Sequence, residues 1–100
     1  MDNGQAGFMI AVDHPALAGH FPGNPLVPAV VVLDYALAAA ANGRRPARIV
    51  SAKFHASLTP GMHCEVRWRP LEGVTEVVCE SAGSLIAECR VEWAMPAISA

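Results

Sequence analysis

The chain has 100 residues, 53% of them hydrophobic and 16% charged, with seven basic and nine acidic side chains and a net charge of −2. That is one domain's worth of chain, and without a basic excess it is not an electrostatic binder of nucleic acid. So apolar a composition on so short a chain, whose surface is large for its volume, predicts that another subunit covers part of it, most simply in a symmetric dimer.

In chain order, Met1 to Gln5 is polar and lacks the basic start of a signal peptide, and the longest apolar run, Val27 to Leu33, is too short to span a bilayer. A cytoplasmic protein that does not enter membranes is therefore expected. Phe8 to Val12 reads as a first strand, ended by Asp13-His14-Pro15. Residues 13–28 hold four prolines and two glycines, a density that neither a helix nor a central strand survives. Loops of that length inside a compact domain are usually functional, and Leu17, Phe21, Leu26 and Val27 predict one that packs.

Pro28 suits the first position of a helix. The helix runs through Ala29 to Ala41, with Asn42-Gly43 as its stop. It is apolar on every face except at Asp34 and Tyr35, the mark of a buried helix. Everything beyond Arg44-Arg45-Pro46 is strand-like. Ala47 to Ser57 forms one strand, and Thr59-Pro60-Gly61 turns the chain. Met62, Cys64, Val66 and Trp68 then alternate with His63, Glu65, Arg67 and Arg69. Glu72-Gly73 marks a hairpin, Val74 to Ser81 a further strand, and Leu85 to Met95 a last alternating one. Cys64, Cys79 and Cys89 fall at strand positions with no CxxC spacing and read as core thiols of a reducing compartment. Apolar-in, polar-out alternation predicts an antiparallel sheet with one covered face.

The outline is one α+β domain over residues 1–100: strand, long loop, buried helix, four antiparallel strands. A curved antiparallel sheet wrapped around one long central helix, the hotdog architecture, meets the helix's need for cover.

Two residues carry the chemistry. Asp34 interrupts the apolar helix, and its helical neighbours Val30, Val31, Leu37 and Ala38 offer no partner. An unpaired buried carboxylate costs several kcal/mol, on the order of 3–5. Either its mate comes from another part of the fold, a second subunit or a ligand, or it faces solvent through a gap. His20 sits in Gly19-His20-Phe21-Pro22-Gly23, where prolines stiffen the loop and glycines allow close backbone approach to a ligand. That loop leads into the helix N-terminus with its unpaired N–H groups and partial positive charge. Histidine, carboxylate and N–H groups together make a base, an acid and an oxyanion site.

The run Gly19-His20-Phe21-Pro22-Gly23-Asn24-Pro25-Leu26-Val27-Pro28-Ala29, four apolar residues and then Asp34, strongly resembles the signature of bacterial 3-hydroxyacyl-ACP dehydratases of the FabA/FabZ type. Ala52-Lys53-Phe54 followed by Leu58-Thr59-Pro60-Gly61 is similar to that family's second motif, and the resemblance extends from about residue 8 to residue 94. It implies a hotdog homodimer or higher oligomer, or a heterodimer, with the histidine of one chain facing the acid of the other. It implies that His20 removes the C2 proton of a (3R)-hydroxyacyl thioester, that Asp34 protonates the departing hydroxyl, and that the Ala29 N–H holds the carbonyl. Phe21, Gly23 and Pro28 fall in the substrate-binding part of the motif. It further implies no metal or redox cofactor, and a substrate carried on the phosphopantetheine of an acyl carrier protein. The basic residues Arg44, Arg45, Arg48 and Lys53 are a candidate docking patch for that acidic carrier or simply a solvated rim.

The chain departs from the family in places. Ala29 replaces the usual glycine, keeping the N–H but adding a methyl group on the substrate path. Ala38 stands where the family has glutamine, and the acid is Asp, as in the FabA branch. Short relatives of this kind occur in clusters for aryl-polyene or related pigments. Two other readings remain: a non-catalytic hotdog subunit that binds acyl carrier protein in a synthase complex, and a hotdog thioesterase. His14 reads as loop structure, His55 and His63 as surface, and Phe54, Trp68 and Trp93 as packing.

Overall fold

A computed structural model of the chain describes residues 3–13 and 27–94. The order of elements is β1 (Gly4–Met9), α1 (Ala29–Ala41), β2 (Pro46–Phe54), β3 (His63–Leu71), β4 (Val74–Ser81) and β5 (Ser84–Trp93). The strands form one antiparallel sheet in the order β1-β3-β4-β5-β2.

The strands after the helix fall where alternation places them. Cys64 and Val66 of β3, Val77 and Cys79 of β4, and Cys89 and Val91 of β5 point into the core, each at most 4% exposed. Their strand neighbours Arg67, Arg69, Glu76, Glu80 and Arg90 stand on the opposite face, where Arg67 pairs with Glu80 and Glu76 with both Arg69 and Arg90. A register shift after Cys79 lets both Ile86 and Ala87 be buried, the one break in the alternation of β5. The buried hydroxyls are satisfied: Ser81 donates to the His63 carbonyl at 2.7 Å, and Thr75 accepts from the Trp93 indole at 2.9 Å.

The first strand begins earlier than its composition suggests and ends before Ile10. Gly4 and Gln5 carry no strand signal of their own; they are held by pairing with Trp68 and Arg67 of β3. Gly4 is required there, because a Cβ would stand 2.3 Å from the Trp68 ring.

The expectation of one long central helix is corrected. The helix has 13 residues, about 20 Å. It stops where Asn42 takes a left-handed conformation (φ 50°) followed by Gly43 at φ 83°. It lies against one face of the sheet instead of being wrapped by it. Val31, Val32, Ala36, Leu37 and Ala40 face the strands, while Val30, Asp34 and Ala38, four residues apart, form an uncovered stripe. Beneath the helix, Ile10, Leu58 and the inward strand residues complete the core.

Strand β2 is the second departure. Every residue of it is exposed, including Ile49, Val50 and Phe54 at 42–46%. It ends the sheet and pairs only with β5, and the helix scarcely reaches it.

Candidate active site

The start of α1 is built from three segments. Val27 donates its N–H to the Leu58 carbonyl at 2.9 Å, tying the chain ahead of the helix to the segment after β2. That segment is pinned to β5 by the N–H groups of His55 and Ala56, both bonded to the Ile86 carbonyl at 2.8 and 3.3 Å. Pro28, at φ −58°, occupies the cap position just ahead of the helix rather than its first turn. These contacts leave a cleft of about 380 Å³ lined by Val27, Pro28, Ala29, Phe54, His55 and Leu58 among others.

The cleft ends on an uncapped helix N-terminus. Pro28 makes no side-chain cap, and the first turn holds no acidic residue. Val31 and Val32 send their N–H groups back to the Pro28 carbonyl at 2.9 and 3.2 Å. The N–H groups of Ala29 and Val30 have no backbone acceptor among the described residues, so the helix offers two donors and its partial positive charge at the cleft wall. Such a site accepts a carbonyl or oxyanion.

Pro28 and Ala29 are thus brought together at the cleft, as the motif implies. Asp34 does not line it. It stands more than a turn further along, exposed on the uncovered stripe, with no hydrogen-bond or ion-pair partner among the described residues. A carboxylate facing outward between Val30 and Ala38 is available to a second molecule laid along the helix. His20, Phe21 and Gly23 lie outside the described residues.

The basic cluster after the helix does not form a patch. Arg44 bonds the carbonyls of Ala41 and Ala40 at 2.8 and 3.1 Å and stacks 4.4 Å over the Trp93 ring. Arg48 pairs with Glu92 at 2.7 Å. Arg45 and Lys53 alone of the four have no such pairing among the described residues. His55, read as a surface strand residue, lines the cleft instead and sits 3.8 Å from Glu88. No local pattern marks it, because its place depends on residues 55–58 folding back to the helix start.

Burial pushes the Cys79 thiol up to about 12, helped by the neighbouring Cys64 and Cys89, and pushes Cys89 up to about 11. Cys64 is raised too, by the same cause. All three are free and neutral, and none is a nucleophile at physiological pH.

One antiparallel sheet with a single helix across it and a cleft at the helix start defines a hotdog-like fold. The fold is shared with a chain of the dehydratase heterocomplex ApeI:P from Xenorhabdus doucetiae, at a TM-score of 0.75 and 19% identity over 94% of this chain and 88% of that one. The ApeI-like family, described as ApeI dehydratase, matches residues 1–86, and the chain belongs to it. This agrees with the resemblance to FabA/FabZ-type dehydratases. No curated protein matches the chain. Among the described residues no helix is long and apolar enough to cross a membrane.

Proposed function

We propose that the chain dehydrates (3R)-3-hydroxyacyl groups carried on acyl carrier protein to trans-2-enoyl groups, in aryl-polyene or related fatty-acid-like synthesis. The observation that carries this reading is the match to a dehydratase family over residues 1–86. Two features of the site support it: the free N–H groups of Ala29 and Val30 at the cleft, and the unpaired Asp34 on the open helix stripe.

In the proposed reaction the thioester carbonyl accepts from the Ala29 N–H, which stabilises negative charge as it develops toward the oxygen. His20 takes the proton from C2. The freed electron pair forms the C2–C3 double bond, the C3–O bond breaks, and Asp34 protonates the departing hydroxyl, which leaves as water. Return of the proton from His20 to Asp34 restores both groups. Only protons move, so the reaction calls for no metal or redox cofactor. Phe21, Gly23 and Pro28 shape the pocket around the reacting carbons. Cytoplasmic placement follows from a substrate tethered to acyl carrier protein.

A second protomer completes the site in this reading. The edge of β2 and the Val30–Asp34–Ala38 stripe are the surfaces left for it, and it delivers His20 to the Asp34 of its neighbour. The heterocomplex formed by the structural relative, together with Ala29 and Ala38 at departed motif positions, favours a second reading: a subunit whose partner supplies part or all of the catalysis.

The test is dehydration of 3-hydroxyacyl-ACP by the purified chain, with His20→Ala and Asp34→Asn beside it. Each variant is expected to lose activity by about 10²–10⁴-fold with its oligomeric state unchanged. Full activity in either removes that residue from the mechanism. An inactive chain that stimulates another hotdog subunit points to the second reading, and release of free acid to a thioesterase.

A further inference from the structure

Helix α1 does not close on the sheet along its whole length. Between them lies an apolar gap of about 210 Å³, too narrow for a water molecule. Leu33 and Ala36 of the helix form its roof; Phe54, Cys79, Ala87 and Cys89 of the sheet form its floor. The gap exists because positions 36, 79, 87 and 89 carry small side chains. Dry apolar spaces of this kind take up apolar groups.

Phe54 borders both this gap and the cleft at the helix start. The floor residues Cys79, Ala87 and Cys89 are buried, whereas Phe54 is 46% exposed at the end of an edge strand. Exposed side chains change rotamer quickly, and buried ones are held by their neighbours. The ring is therefore the movable wall between the two spaces.

We propose that Phe54 gates the passage from the cleft to the gap beneath the helix, and so sets the length of acyl tail the site accepts. The inference rests on the dehydratase reading for the identity of the tail: it is the apolar end of a thioester whose carbonyl sits at Ala29. Short tails end in the cleft in front of the ring. Longer tails reach the space over Ala87 and Cys89 only when the ring swings outward.

The experiment measures binding of acyl-pantetheine thioesters of increasing length by calorimetry, and turnover of the matching 3-hydroxyacyl-ACP series, for wild type, Phe54→Ala and Phe54→Trp in the oligomer the chain forms. Wild-type affinity is expected to rise about fourfold for each methylene buried and to level off where the tail meets the ring. Phe54→Ala moves the levelling point to longer tails, with long-over-short preference raised on the order of tenfold; Phe54→Trp moves it to shorter ones. A levelling point unmoved in both variants, or no thioester binding at all, overturns the gate. Shifted binding without turnover at any length upholds the gate and removes the dehydratase reading. Normal turnover with an unmoved length profile does the reverse. Circular dichroism and elution volume check the fold, and Phe54→Leu replaces Phe54→Ala if the latter does not fold.

Discussion

Strands β4 and β2 both pair with β5, one on each side, yet they live in different surroundings. β4 alternates without a fault, with Thr75, Val77, Cys79 and Ser81 buried and Glu76 and Glu80 turned outward. β2 exposes all nine of its residues, although Ile49, Val50 and Phe54 are as apolar as anything in β4. The difference lies in position. β4 has a strand on either side and the helix above it; β2 has β5 alone and the margin of the helix. An uncovered apolar edge is unfavourable in a finished protein. The contrast therefore separates the half of the molecule that stabilises the chain from the half left for another chain and for substrate.

The largest test of the contrast is truncation on both strands. Val77→Ala is expected to cost about 2–3 kcal/mol of unfolding free energy, and Ile49→Ala less than about 1 kcal/mol in the isolated chain, both measured by urea unfolding. Equal costs would mean that β2 is covered in solution. The next effect comes from the thiols behind β4. Unfolded cysteines ionise near their ordinary 9.0, whereas folded Cys79 and Cys89 hold their protons to about 12 and about 11. Stability from these groups is whole below pH 9 and declines through the window from 9 upward, because the unfolded chain releases protons that the folded one keeps. The urea midpoint should fall between about pH 8 and about pH 10, and Cys79→Ala should flatten that fall.

Arg44→Ala is expected to cost about 1 kcal/mol, through loss of the two carbonyl bonds at the helix end and of the stack on Trp93. The smallest effect on chain stability, and the sharpest test of the open half, is Ile49→Lys. It should leave the unfolding midpoint almost unchanged and shift the elution volume from oligomer to monomer. An oligomer that persists moves the contact between chains away from β2.

Much of the sheet was legible because its signals are local. The alternation from Cys64 to Trp68 and from Val74 to Ser81, the Glu72-Gly73 turn with Gly73 at φ 76°, and the Asn42-Gly43 stop each depend on a few neighbouring residues. Gly4 and Gln5 were not legible as strand, since only pairing with β3 makes them one. Nor was the isolation of Arg44 from its basic neighbours, which follows from Trp93 arriving beside it from the far end of the chain. At the site, Pro28 and Ala29 were read correctly as neighbours at the helix start. His55 and Phe54 escaped, because the cleft they line forms only when the segment after β2 is bonded to Ile86 and Val27.

The sequence by itself determined the order of elements, the inward faces of three strands, the helix limits and the motif that names the family. These depend on periodicity, turn chemistry and residue identity, which act over short stretches of chain. Only the tertiary structure decided that the helix is covered on one side, that β2 stands uncovered, and that Asp34 faces outward instead of into the core. Those outcomes depend on which surfaces meet, and a pattern along the chain states that a face is apolar without stating what will lie against it.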